Sequence, residues 1–313
     1  MTDVQKKADI HHGAATGLGY GILAYLIWGF FPVYFKALAG VPPLQVVCHR
    51  IVWSVLFLWL IIVWRGRWRA IRDALHDRRA VALLTVSALL IATNWLVFII
   101  AVGHAQVIQS SLGYFITPFV SVLLGFLFFQ EHLRRLQLVS LLLAAAGVLL
   151  LTIQYGRFPW IAMVLALTFG SYGLFRKVVT VDSLTGLTVE TLLLGPAALG
   201  YLLFASWQGT SAFLAHGAQT VTLLVLAGVA TAVPLLLFAS AARRLRLATI
   251  GFLQYITPSL QFLLAVLLYK EPFTRAHLFS FLFIWSGLCC YSYDVWRGMR
   301  EARQNNRSCE ELQ

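Results

Sequence analysis

Leu112-Gly113-Tyr114-Phe115-Ile116-Thr117-Pro118 opens an apolar run that ends at Glu131. Much of it returns as Phe252-Leu253-Gln254-Tyr255-Ile256-Thr257-Pro258, which runs on to Glu271. Ile-Thr-Pro is identical in both copies, and one displacement of 140 residues carries Thr117 to Thr257 and Glu131 to Glu271. The register holds further on, pairing Arg135 with Arg275, Ser140 with Ser280 and Gly147 with Gly287. Chance does not readily give one unbroken register over about three dozen residues, and the pattern marks an internal duplication.

The material between and around the copies is apolar. The 313 residues are 60% hydrophobic and 12% charged, with a mean hydropathy of +0.80, against roughly 25% charged residues in a soluble domain. Lipid is therefore the expected solvent for most of the chain. At about 20 residues a span, ten spans would take about 200 residues, leaving short loops and no separate soluble domain. The net charge of +12 does not point to nucleic acid, because the basic residues cluster between apolar runs, as the positive-inside rule requires. The four cysteines form no disulfide or zinc framework: Cys48, Cys289 and Cys290 sit in apolar runs and Cys309 near the C-terminus. No metal or other cofactor is expected. Residues 1–16, with Asp3, Asp9, His11 and His12, lack signal-peptide composition, so the first span is expected to stay in the membrane.

Apolar runs predict an all-α membrane protein of ten transmembrane helices, near 18–38, 44–64, 80–102, 107–129, 137–154, 158–176, 186–206, 220–240, 249–269 and 277–296. With the N-terminus in the cytoplasm, Lys and Arg fall mainly inside, in the groups around Lys6, Arg65–Arg79, Arg134, Arg176, Arg243–Arg246 and Arg297–Arg307. Lys36, Arg157, Lys270 and Arg275 fall outside. This bias predicts a multi-pass protein with both termini cytoplasmic. Ten helices in two copies make five per copy, and an odd number inverts the second copy. The expected organisation is a cytoplasmic tail over 1–16, a five-helix repeat over 17–154, an inverted five-helix repeat over 155–296 and a cytoplasmic tail over 297–313. Inverted repeats of this kind build several secondary transporter folds.

Particular motifs carry a resemblance. His49-Arg50 with Trp53-Ser54, Asn94-Trp95-Leu96, Ser111–Ile116, Tyr172-Gly173-Leu174, Gly186-Leu187, Glu190-Thr191 and Gly251–Tyr255 together resemble the EamA repeat of the drug/metabolite transporter superfamily. More narrowly, they resemble its RarD branch of bacterial inner-membrane permeases. The resemblance runs from about Gly17 to Trp296. It implies a ten-helix carrier with two inverted EamA-like repeats, a central cavity and export of a small metabolite or drug-like molecule. RarD proteins also carry a chloramphenicol-sensitivity label.

Polar groups inside spans are costly and become candidates for substrate binding and transport. His49 and Glu190 are repeat mates, with Arg50 beside them. Arg50 is a candidate substrate or counter-ion site, and His49 or Glu190 a candidate proton-coupling group. The alternatives are that Arg50 snorkels outward and that Glu190 caps or pairs near an interface. Asn94 and Trp95 lie mid-span, and Asn94 either binds substrate or joins helices. Tyr114 aligns with Gln254 and Phe115 with Tyr255, and these matched positions suggest a cavity lining. Gln261 shares a helix face with Gln254 and could equally be helix-to-helix glue. Trp28 and Trp53 either stack on substrate or pack. Pro118 and Pro258 are matched and predict a shared hinge or kink. Glu131 and Glu271 oppose the macrodipole at their helix ends, so pairing is expected, with Arg134 or Arg135 for the first and Lys270 or Arg275 for the second.

No metalloprotease, hydrolase-elbow or phosphate-loop motif appears, so no enzymatic activity is expected. The partners expected are a small-molecule substrate and the lipid bilayer, without nucleic acid. A lipid-handling or structural membrane protein is the alternative, and the oligomeric state stays open, a homodimer included.

Overall fold

The computed structural model describes residues 3–103, 107–155, 159–215, 217–268 and 275–310. The elements among these residues are all helices. In the first half they are α1 (Asp3–Gly29), α2 (Phe31–Ala37), α3 (Pro43–Trp64), α4 (Trp68–His76), α5 (Arg78–Gly103), α6 (Val107–Phe129) and α7 (Arg135–Tyr155). The second half carries α8 (Trp160–Val178), α9 (Ser183–Trp207), α10 (Ala212–Ala215), α11 (Ala218–Ala242), α12 (Leu247–Gln254), α13 (Ile256–Leu267) and α14 (Arg275–Glu310).

Seven segments among the described residues are long and apolar enough to cross a membrane: Ala14–Ala37, Pro43–Trp64, Arg78–Ala101, Leu112–Phe129, Trp160–Val178, Ser183–Trp207 and Ala218–Ala242. Arg135–Leu150 in α7 is a shorter apolar stretch. Large apolar side chains such as Leu60, Leu127, Phe128, Leu142 and Leu203 are exposed along these helices, a surface that suits lipid and not water. The chain is thus a helical multi-pass membrane protein.

Among the described residues two apolar segments are broken, and proline accounts for one break directly. α1 and α2 part at Phe30, two residues before Pro32. Residue 32 has no N–H, so the Trp28 carbonyl loses its i+4 donor. The Gln261 side chain donates to it instead, at 3.3 Å, and Thr257 Oγ1 donates to the Tyr25 carbonyl at 2.8 Å. Buried backbone carbonyls in a lipid-embedded helix need such replacements. The second break, at Tyr255, separates α12 from α13 three residues before Pro258.

The matched Pro118 behaves differently. α6 runs through it unbroken, and Thr117 Oγ1 bonds back to the Gly113 carbonyl of its own helix at 2.9 Å. The shared kink expected from sequence is therefore a break in one copy and a continuous helix in the other. The two threonines differ in partner as well: Thr257 reaches across to α1, whereas Thr117 stays within α6.

Small residues set the close approaches. A Cβ on Gly147 would lie 2.6 Å from the Ser280 carbonyl, and one on Gly287 would lie 2.6 Å from the Ser140 carbonyl. Residue 140 thus meets 287 while 147 meets 280, so α7 and α14 cross antiparallel. Gly113 packs on Ala162, Gly21 on Leu253, Gly29 on Leu260 and Gly170 on Val120. Gly228 lies against the Trp53 backbone, where the Ser54 hydroxyl donates to the Gly228 carbonyl at 3.0 Å. Small residues permit this spacing, which packing in lipid exploits.

Two segments depart from the sequence reading. The stretch after the second span, read as a loop, folds as α4, with Ile71 and Ala74 buried and Arg69 and Arg72 outward. α14 continues past 296 to Glu310, so the expected C-terminal tail is helical at least that far.

Candidate functional site

α1, α2, α3, α5, α6, α8, α12 and α13 enclose a cavity of about 50 Å³, space for a few waters. Its polar lining is Arg50, Asn94, Tyr114, Gln254, Thr257 and Gln261, set among Tyr25, Trp28, Phe31, Phe35, Trp95, Phe98 and Phe169. Aromatic faces dominate, and among the described lining residues Arg50 alone carries a formal charge at neutral pH.

Arg50 reaches the cavity from mid-α3 and is only 4% exposed. Its Nε donates to Thr231 Oγ1 on α11 at 2.9 Å. Its guanidinium carbon lies 4.6 Å from the Trp95 ring centre, 5.4 Å from Phe35 and 5.6 Å from Phe31. A desolvated guanidinium over aromatic faces gains about 2 kcal/mol. No ion pair to Arg50 occurs among the described residues. Arg50 therefore does not snorkel outward.

Asn94 donates to the Leu165 carbonyl at 3.0 Å and to Thr168 Oγ1 at 2.9 Å. It ties α5 to α8 and lines the cavity as well. Trp95 forms the floor under Arg50. Tyr114 and Gln254, the matched pair, both line the cavity. The Gln254 Oε1 is buried without a hydrogen-bond partner among the described residues.

The structure does not bring all the sequence candidates together. Tyr255 is buried away from the cavity, stacked on its own repeat mate Phe115 with ring centres 6.2 Å apart. His49, next to Arg50 in sequence, turns to the other side of α3. There it stacks on Phe213 at 5.1 Å, and neither ring nitrogen has a partner among the described residues. Trp53 lies near the same Phe213 ring. Neighbouring helix positions point about 100° apart, which is why His49 and Arg50 do not share a site.

Glu190 sits in a second buried cluster on α9. Ser87 donates to its Oε1 at 2.6 Å, and Arg176 Nη1 lies 3.3 Å from the same oxygen. Arg176 is fully buried, with its other end on the Ser183 carbonyl at 3.2 Å. A Cβ on Gly186 would collide with this guanidinium. Glu190 thus pairs inside the protein, and Arg176, which the sequence places at the cytoplasmic end of the sixth span, is its partner. Proximity of a charge to a helix end in the sequence could not distinguish a loop arginine from one folded back under α9.

Glu131 is 8% exposed at its side chain and pairs with Lys177 Nζ at 3.0 Å, not with Arg134 or Arg135. Its two oxygens also accept from the Leu247 and Ala248 N–H groups at 3.1 and 3.2 Å. The carboxylate that opposes the dipole of its own helix end serves the positive N-terminus of α12, where it is favoured. Arg134 instead lies 3.9 Å from Asp294 on α14. The expected pairing of Glu271 lies outside the described residues.

A further clamp holds the turn before α9. Asp182 caps that helix through Leu184 and Thr185 and takes both Nη atoms of Arg67, at 3.1 and 3.0 Å. Burial pushes the Asp182 carboxyl up, but the hydrogen bonds from Thr185 and Leu184 and the nearby Arg67 charge outweigh it and hold the group below its ordinary value of 3.8.

Apolar spans wrapped around a small aromatic-walled cavity with polar groups from both halves define a membrane transporter. The chain belongs to the EamA-like transporter family, whose model matches residues 15–153 and 159–293. It is 46% identical over 291 residues to an "Uncharacterized transporter" of Vibrio cholerae, an alignment covering 93% of this chain and 96% of that one. It is 40% identical over 279 residues to "Protein RarD" of Escherichia coli, covering 89% and 94%. The "Chloramphenicol-sensitive protein RarD" of Pseudomonas aeruginosa is 31% identical over 292 residues, covering 90% and 97%. One solved crystal structure superposes with a TM-score of 0.68 at 19% identity, covering 90% of this chain and 98% of that one, which supports the fold alone.

Proposed function

We propose that the chain is a secondary carrier of the bacterial inner membrane that exports a small metabolite or drug-like molecule by alternating access. The carrying observation is the cavity: Tyr114 and Gln254, repeat mates on α6 and α12, meet there beside a buried arginine. Binding sites between repeats, near the midplane and beside interrupted helices, characterise carriers built from inverted halves. Here two interrupted segments, α1/α2 and α12/α13, border the cavity. At about 50 Å³ it is far below the roughly 300 Å³ of a typical small-molecule site, so loading requires helices to move. α6 and α13, with Pro118 and Pro258, are the candidate moving elements.

The ten-span inverted arrangement, with both termini in the cytoplasm, is part of the proposal. Reciprocal packing supports it. Ser140 meets Gly287 and Gly147 meets Ser280, and Phe115 stacks on its own mate Tyr255. Such contacts arise where a pseudo-two-fold axis lies across antiparallel helices. The matched approaches Gly29–Leu260 and Gly170–Val120 support the same relation.

Proton coupling is proposed at Glu190, with His49 as its mate on the opposite side. Protonating Glu190 would release Arg176 and Ser87 and loosen α8 and α5 from α9. The name of the Pseudomonas relative makes a drug-like solute such as chloramphenicol a reasonable first probe. Purified protein in proteoliposomes tests the reading: time-dependent accumulation of a solute that wild-type cells export supports it, and accumulation that responds to an imposed pH gradient supports coupling. Equal solute leakage from empty and protein-containing vesicles contradicts the carrier. Flux indifferent to the gradient removes the coupling.

A further inference from the structure

We infer that the cavity takes an organic monocarboxylate with an apolar body and a hydrogen-bond donor, and that it rejects organic cations. This deepens the carrier reading and rests on it for the use of the site, not for the chemistry. Among the described residues the lining contains a cation and no Asp or Glu. Arg50 is buried, and no carboxylate among the described residues neutralises it. An uncompensated charge in a dry site is costly, and aromatic faces offset only part of that cost. A bound anion supplies the rest.

The geometry favours a carboxylate. The Trp95 face under the guanidinium, at 4.6 Å, and the Nε bond to Thr231, at 2.9 Å, fix the plane of the fork. A planar, fixed fork recognises a carboxylate by two parallel hydrogen bonds. The aromatic walls, Phe31 and Phe35 among them, favour an apolar body over a highly hydroxylated one. Gln254 supplies the third feature. Its Oε1 is buried with no donor among the described residues, on a side chain 2% exposed. A ligand hydroxyl or N–H satisfies it. A cationic solute meets the repulsion of Arg50, with no acidic group among the described lining residues to offset it.

The test uses the full-length protein in detergent micelles and three probes sharing one skeleton: 3-phenyllactate, 3-phenyllactamide and 1-amino-3-phenylpropan-2-ol. Titration calorimetry on wild type is expected to show the carboxylate binding at least about tenfold more tightly than the amide, the scale of one charge-assisted hydrogen bond. The amine is expected not to bind. Arg50→Lys should keep a weakened preference for the carboxylate, and Arg50→Gln should lose it. Equal or tighter binding of the amide or amine overturns the inference, as does binding by none of the three or an unchanged preference in Arg50→Gln. The wild-type comparison stands even if a variant fails to fold. The two readings fail separately: carboxylate binding without flux through proteoliposomes removes the carrier and keeps the site, whereas flux of neutral or cationic solutes alone keeps the carrier and removes this inference.

Discussion

At Arg50 the chain keeps a guanidinium in an aromatic box with no acidic neighbour among the described residues. If its role is to hold solute, Arg50→Gln should insert and fold yet lose more than about 90% of flux, since removing a charged hydrogen-bond partner of a ligand costs about 1.5–3 kcal/mol. Uptake into proteoliposomes at matched protein content reads this. Glu190 and Arg176 make a different prediction, because each compensates the other. Arg176→Met strands a buried carboxylate and should lower unfolding stability by about 3–5 kcal/mol, whereas Arg176→Met with Glu190→Leu should lower it much less. Thermal unfolding in detergent separates the two. At the aqueous edge, Asp182 has its pKa held down in the folded chain. The stability it contributes is full at neutral pH and fades as pH falls through that depressed value. Asp182→Asn should therefore melt earlier than wild type at pH 7, with the gap closing only in acid below the ordinary carboxylate range. Of these residues, Arg50 and Asn94 stand out in the sequence because polarity in an apolar run is rare, and Tyr114 and Gln254 because they are repeat-matched; all four, with Trp95, line the cavity. Tyr255 does not; a residue stacking on its own mate has the same sequence pattern as one lining a cavity. The Arg176–Glu190 pair was hidden because nothing in spacing reveals a side chain folded back beneath its neighbour.

Helices and their breaks carry the next level. Pro32 strips the Trp28 carbonyl of its donor and Gln261 replaces it. The two changes should therefore couple. Gln261→Leu should cost about 1 kcal/mol in the native background and distinctly less when Pro32→Ala restores a donor to that carbonyl. A double-mutant cycle of unfolding free energies gives the coupling directly, and strict additivity would contradict the assignment. Proline positions in the sequence do not show which side chain takes over the freed carbonyl. Thr257 and Gln261 face α1, whereas Thr117 bonds within α6. α4 was overlooked for a related reason: its apolar face is only Trp68, Ile71, Ala74 and Leu75, too short a pattern to stand out among arginines.

Across the whole molecule, the duplication visible at Ile-Thr-Pro and the Lys and Arg bias together motivate the proposal of two halves related by a two-fold axis in the membrane plane. Matched contacts across α7 and α14 agree with that geometry. The duplication itself is legible in the sequence because one register runs over about three dozen residues. It does not show which matched residues touch; Phe115 and Tyr255, repeat mates, stack with ring centres 6.2 Å apart. Repeat-matched loops offer the most direct check. Gly66 and Gly209 both have positive φ, 60° and 69°, in the turns that follow α3 and α9, the second spans of the two halves. In a chain with its native cysteines replaced, Arg65→Cys and Gln208→Cys are labelled separately with a membrane-impermeant maleimide in spheroplasts. The inverted arrangement predicts that Cys at 208 reacts in intact spheroplasts and Cys at 65 only after permeabilisation. Reaction of both from the same side would contradict it.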